Sequence, residues 1–157
     1  MSTVKAIPEG HHSLTPSLVC KGCGKAIDFY KEVFQAKEIS RMEGPGGSIG
    51  HAELQIGDSR VMLSDEFPGM PGGGCYTILY TEGADAVWER AVKAGAKVEM
   101  PLQNQFWGDR FGKVRDPFGH AWGIAQHVED VAPDEMSRRA KAWMDQMSNK
   151  SAGAAGN

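Results

Sequence analysis

The residues best placed for chemistry are His51, Glu53 and Gln55, which alternate with Ala52, Leu54 and Ile56. Such alternation belongs to a half-buried strand, with the polar three on one face and the apolar three on the other. A histidine and a carboxylate two apart on one face could polarise a bound molecule, exchange a proton with it, or begin a metal site. The same pair also serves as a polar wall. Cys20-Lys21-Gly22-Cys23 is a CxxC, but a zinc ribbon needs a second pair and only Cys75 remains. The plainer reading is one thiol at a strand end and one at a helix start. Phe106, Trp107, Asp109 and Arg110 crowd between two strands. Trp107 could stack on a planar ligand and Arg110 could hold an anion. Alternatively, Arg110 pairs with Asp109 or Asp116 and pins a hairpin. GPGGSIG lacks the Lys-Ser/Thr of a phosphate loop and reads as a hairpin turn. His11 and His12 lie in a polar lead-in and read as solvated.

The elements that must position these residues follow from periodicity. Residues 14–20 read as a strand with an irregular start at Pro16. Ala26, Ile27, Tyr30, Val33 and Phe34 fall at helical spacing. KEISRME, HAELQIG and SRVMLSDE read as three strands, the last two joined at Gly57-Asp58. FPGMPGGG, residues 67–74, holds no regular element and reads as a linker. The pattern then restarts: CYTILYT as a strand, ADAVWERAVKAGA as a helix stopped near Gly95, and KVEMPL, RFGKVRD and HAWGIAQHV as strands. Asp116-Pro117-Phe118-Gly119 is the last turn. Ala26-Ile27 matches Ala86-Val87, and Ala36-Lys37 matches Ala96-Lys97 at the same offset. The order of elements carries the repeat more than these identities do. A tail helix, 132–147, has an apolar stripe of Met136, Ala140, Trp143, Met144 and Met147.

The fold class expected is therefore α+β. Two βαβββ modules, 13–66 and 75–128, with curved mixed sheets forming a concave cavity and a helix on each module's outer face, make one domain over 13–131. A C-terminal helix follows, and residues 1–12 and 148–157 are flexible tails. The chain has 157 residues, 41% hydrophobic and 24% charged, with a formal net charge of -3. Lys and Arg are scattered, with no basic stripe, so nucleic acid is not the expected partner. No apolar run is long enough for a membrane span. Three cysteines without the apolar core of a signal peptide point to free thiols in the cytoplasm.

A duplicated βαβββ unit with AIDFYKEVF in its first helix and RDPFGHAWGI in its last hairpin resembles the vicinal-oxygen-chelate superfamily of glyoxalases, bleomycin-resistance proteins and extradiol dioxygenases. HAEL, VMLSDE, FWGDR and DPFGHAWGIAQHVEDV resemble its PhnB-like branch, and the resemblance spans about residues 14–131. In metal-using members, one ligand sits in the first and one in the last strand of each module. Those places fall at Thr15, Ser64, Tyr76 (Cys75 if the register slips by one) and Gly123. None is a His, Glu or Asp, so the resemblance implies a lost metal site and no predicted cofactor. A divalent metal enters only if its site has moved, for example to His51 with Glu53.

Strand parity then gives the candidate ligand-binding set. Thr15, Ser17, His51, Glu53 and Ser64 come from module one, and Tyr76, Tyr80, Gly123 and His127 from module two. Trp107 and Arg110 stand beside them. Ala121, Gly123 and Ala125 leave room for a ligand, while His120 reads as structural. Three functions stay open. One is a binding protein for a small, partly aromatic molecule. The second is a lyase, isomerase or dioxygenase with a relocated metal. The third is a metal-free enzyme using His51, Glu53 or His127 as acid or base. The resemblance and the apolar tail helix also imply a homodimer, with the helix docking on its own chain or clasping the partner.

Overall fold

The computed structural model describes residues 4–154, with side chains to residue 150. Module one is β1 (Ser17–Cys20), α1 (Cys23–Phe34), β2 (Lys37–Glu43), β3 (Ile49–Ile56) and β4 (Ser59–Asp65). Module two is β5 (Tyr76–Tyr80), α2 (Ala84–Lys93), β6 (Lys97–Asn104), β7 (Asp109–Arg115) and β8 (Ala121–His127). Each module makes one four-stranded mixed sheet, ordered β1-β4-β3-β2 and β5-β8-β7-β6. The first strand runs parallel to the last in both, with Val19 beside Ser64 and Ile78 beside Gly123. The strand–helix–three-strand repeat is the architecture that the sequence leads one to expect.

Local chemistry explains the boundaries. The α1 N-terminus has no side-chain cap at Gly22. Instead Asp65 reaches across: one carboxylate oxygen accepts from the Cys23 N–H at 2.7 Å and the other from the Ile49 N–H at 2.7 Å. Strand β4 thereby fixes the start of both the helix and β3. At its other end α1 closes through Gln35 in the left-handed region, with the Ala36 N–H on the Tyr30 carbonyl. Strand β1 begins at Ser17, three residues later than expected, because Pro16 has no N–H to give to a ladder.

The alternation in β3 resolves as the sequence implies. Ala52, Leu54 and Ile56 are buried, and His51, Glu53 and Gln55 are partly exposed. Leu18 and Leu63 lie on the same apolar side. The helix-facing sides of both sheets feed a single buried cluster that includes Ile27, Tyr30, Phe34, Leu54, Trp122 and Ile124. Large side chains of this kind contribute roughly 1.5–3 kcal/mol each when fully buried. Because one core takes both helix-facing sides, the other face of each sheet turns outward, where the sequence reading put the helices.

A buried polar clasp joins the modules inside that core. Asp116, at the β7–β8 turn, accepts from the Tyr30 hydroxyl of α1 at 2.6 Å and from Trp122 Nε1 at 2.9 Å. Its other oxygen takes the N–H groups of Phe118 and His120. His120 is 1% exposed. Its Nδ1 accepts from the Cys75 N–H at 3.2 Å, and its Nε2 faces the Val19 carbonyl at 3.1 Å. His120 is thus structural, and it bridges β1 to the start of β5.

Two segments differ from the sequence reading. The lead-in is not simply a solvated tail, because the His11 side chain is only 10% exposed against Glu53. The C-terminal helix α3 spans Pro133–Ala154, past the expected end at 147. It docks on its own chain through Arg139, which pairs with Glu129 and donates to the Phe106 carbonyl, and through Trp143, 5.7 Å from the Phe106 ring. Trp143 and Met144 stay about half exposed, at 46% and 54%. No helix among the described residues is long and apolar enough to cross a membrane.

Replacing Asp116 with Ala strands the buried Tyr30 hydroxyl and Trp122 N–H. Unpaired buried donors cost about 1–3 kcal/mol each, so urea denaturation should show a loss of about 3 kcal/mol or more. A loss below about 1 kcal/mol would show that the clasp does not hold the modules.

Candidate functional site

Strand β8 supplies the floor of the site. Ala121, Gly123 and Ala125 face away from the helices, while Trp122 and Ile124 enter the core. A Cβ on Gly123 would meet Phe111 at 2.9 Å and Ile78 at 3.0 Å, so only glycine lets those two side chains close over the strand. Around this floor stand aromatic rings. Tyr76 and Tyr80 project from β5, 52% and 59% exposed, with Ile78 between them at 45%. Phe111 comes from β7, and Trp107 packs edge-on against it at 5.8 Å. The Lys113 ammonium sits 4.8 Å from the centre of the Tyr76 ring and pairs with Glu99, giving the wall a charged rim.

One carboxylate organises the far end of this wall. Asp109 is 4% exposed and accepts from three side chains: Tyr80 hydroxyl at 2.8 Å, Trp107 Nε1 at 3.0 Å and His127 Nδ1 at 2.8 Å. The other ring nitrogen of His127 meets Asp130 at 2.9 Å. Burial acts to raise the Asp109 carboxyl, but the donors from His127, Tyr80 and Trp107 outweigh it and hold it below its ordinary range. His127 is raised above 6.5 by its hydrogen bonds to Asp130 and Asp109. The Tyr80 hydroxyl is raised by its bond to Asp109.

The structure brings Tyr76, Tyr80, Trp107, Gly123 and His127 onto one face of sheet two. Arg110 is not among them. It lies on the helix side, where it forks onto Asp85 of α2 at 2.6 and 2.8 Å. Neither partner weighed from the sequence, Asp109 or Asp116, is the one it uses. The parity of this strand turns on Gly108, held at φ 97 with its carbonyl accepting from the Val128 and Glu129 N–H groups.

Thr15, Ser17, His51, Glu53 and Ser64 lie on the outward face of sheet one, Ser64 being 7% exposed and Ser17 open. Among the described residues, no hydrogen bond or ion pair joins this set to the module-two set. Glu53 is flanked by His11 and Arg60, each with a nitrogen 3.5 Å from the same carboxylate oxygen. Sequence reading missed Arg60. The cue available was its alternation with Met62 and Ser64 along β4, which puts all three on one face.

Cavities of about 610 and 530 Å³ lie instead at the module junction. Leu14, Val61, Leu79 and Trp122 line the first, and Phe34, Lys37, Val87 and Arg90 the second. Of the expected site residues only Tyr80 borders them. Cys20 and Cys23 are fully buried, and the Cys20 thiol is pushed up by its hydrogen bond to Cys23 and by burial. That suits a packed strand end rather than a nucleophile. Among the described residues no three His, Cys, Asp or Glu side chains gather as a metal ion requires.

The Asp109–His127–Asp130 chain has a pH signature. The folded pKa of His127 is above the unfolded one. Its stabilisation is therefore complete below about 6.5 and fades as pH rises through the folded value. Imidazole NMR titration should place His127 above the ordinary histidine value of about 6.5. Asp109→Asn should bring it back toward the ordinary value; an unshifted His127 in the parent protein would contradict the geometry.

Comparison with known proteins agrees with the fold. The family model described as Glyoxalase/Bleomycin resistance protein/Dioxygenase superfamily matches residues 11–124. An uncharacterized protein of Mycobacterium bovis is 42% identical over 135 residues, covering 79% of this chain and 89% of its own. TioX from Micromonospora sp. ML1 superposes with a TM-score of 0.65 at 28% identity, covering 74% of this chain and 99% of that one. TnmS3, an antibiotic binding protein from Streptomyces sp. CB03234, superposes with a TM-score of 0.61 at 28% identity, covering 80% and 100%. A PhnB protein from Bacillus cereus shares the fold with a TM-score of 0.57. With its repeated βαβββ modules and a family match over most of its length, the chain belongs to the glyoxalase/bleomycin resistance protein/dioxygenase superfamily.

Proposed function

We propose that this protein binds a small, planar, partly aromatic molecule against the outward face of sheet two, as a homodimer. The observation that carries the reading is the wall itself. Tyr76, Ile78 and Tyr80 stand half exposed beside Trp107 and Phe111, and Phe111 and Ile78 close over the small residues of β8. Half-exposed tyrosines over small residues offer stacking area at low conformational cost. Asp109 locks Tyr80 and Trp107 in place, so the wall is preformed. The similarity to TnmS3, an antibiotic binding protein, supports the same reading. No metal or cofactor is assigned: Thr15, Ser64, Tyr76 and Gly123 supply no strong ligand between them.

The back-to-back modules support the homodimer reading. A sheet face turned outward is half a pocket. Closing it needs another surface, and the outward face of sheet one on a second copy would bring polar groups at His51, Glu53 and Ser64. The exposed Trp143 and Met144 of α3 add apolar surface suited to the same association.

A second reading rests on His127. An imidazole between two carboxylates, beside an aromatic wall, could act as an acid or base on the bound molecule. It predicts turnover that is lost in His127→Gln while binding survives.

Thermal-shift screening of planar aromatic compounds, followed by titration of the best hit through Trp107 fluorescence, tests the binding reading. Tyr76→Ala should weaken that hit about tenfold, or about 1.4 kcal/mol, with the melting point nearly unchanged because Tyr76 is half exposed. No hit at all, or equal affinity in the variant, would overturn it.

A further inference from the structure

The outward face of sheet one holds the least settled polar group among the described residues. Three side-chain nitrogens there are sealed from solvent without a hydrogen-bond partner: Arg60 Nε, Arg60 Nη1 and His11 Nε2. All belong to one cluster around Glu53. Arg60 Nε and His11 Nε2 each stop 3.5 Å from Glu53 Oε1, too far or too poorly aimed to bond. What seals them is the lead-in. The chain turns at the His11 N–H to Pro8 carbonyl bond, and Gly10 lies on the guanidinium. A Cβ at Gly10 would stand 2.8 Å from Nε and 2.9 Å from Nη2, the edge that arginine uses for fork-like contacts. Buried donors without acceptors are costly, so this closed arrangement is poorly satisfied.

We infer that Arg60 of the second copy, whose sheet-one face closes the pocket, is the polar anchor for the bound molecule, and that residues 8–12 form a strap that moves aside to admit its acceptor oxygen. The inference rests on the proposed aromatic-ligand function and its homodimer and adds the ligand's polar chemistry. Glu53 already balances the arginine in charge. What the cluster lacks is an acceptor within bonding geometry, since Glu53 stops 3.5 Å short, which points to a neutral carbonyl oxygen on the aromatic ring system, a ketone or an amide, rather than a carboxylate. Arg60 and His11 thus determine which aromatic molecules are kept, while the sheet-two wall supplies stacking common to all of them.

Two probes that differ by one carbonyl and carry no anionic group make the test: trimethyl(9-oxofluoren-2-yl)ammonium and trimethyl(fluoren-2-yl)ammonium, titrated into the full chain by calorimetry. The ketone should bind about tenfold tighter. Arg60→Met should lower the ketone to the level of the fluorene probe while leaving the latter unchanged. Arg60→Lys, which keeps the charge and most of the stem, should lose most of the preference because the fork is gone; it also guards against a folding failure in the first variant. His11→Ala should speed ketone association severalfold, since the strap loses its hold on Glu53. Equal binding of the two probes, or a preference that survives both Arg60 variants, overturns the anchor and leaves the wall intact. Failure of both probes to bind at all overturns the aromatic-ligand reading and the anchor with it.

Discussion

The buried Asp116 carboxyl group ties the α1 helix of module one to the last hairpin of module two. Tyr30 and Trp122 both donate to it, and the Tyr30 donor stands 86 residues away in sequence. Burial and the nearby Asp116 together raise the Tyr30 hydroxyl, keeping it a donor across the physiological range. This contact fixes the helix side of one sheet against the helix side of the other. Once that is set, each sheet turns its other face outward, away from the shared core. Phe34 stacking on Tyr30 and tilting onto Trp122 at 4.6 Å fills the apolar space around the clasp.

The two outward faces then carry different chemistry. Sheet two offers rings and small residues with one well-satisfied carboxylate, Asp109. Sheet one offers Glu53, His51 and Arg60, with donors left over. The contrast between the two buried aspartates is instructive. Asp116 works inside the core and joins the modules; Asp109 works at the outward face and orients Tyr80, Trp107 and His127. Their side chains are alike, and the strand parity around them sends them to opposite duties.

Much of this was legible in the residues. The alternation of HAELQI, the helical spacing in AIDFYKEVF and the repeated element order gave both modules and the outward set of His51 and Glu53. What stayed hidden depended on tertiary partners. Arg110 could not be assigned to a face because Gly108 adopts a positive φ that resets the strand entering β7, so its fork onto Asp85 was invisible. The burial of His11 was equally hidden, since a polar lead-in with no periodicity carries no sign of what it will cover. The end of α3 ran on through Ser151-Ala152-Gly153, a composition that reads as tail rather than helix. His120, by contrast, was read as structural from its place beside a turn, and its Cys75 and Val19 partners give the reason.

The central claim is that one chain presents two half-sites on opposite sides of a shared core, so that a closed pocket takes two copies. Sedimentation equilibrium of the full chain at low micromolar concentration tests this most directly when an aromatic ligand is titrated in. The account predicts a species of twice the chain mass, further stabilised against dilution by the ligand. A species of single-chain mass that binds the ligand equally well would contradict it.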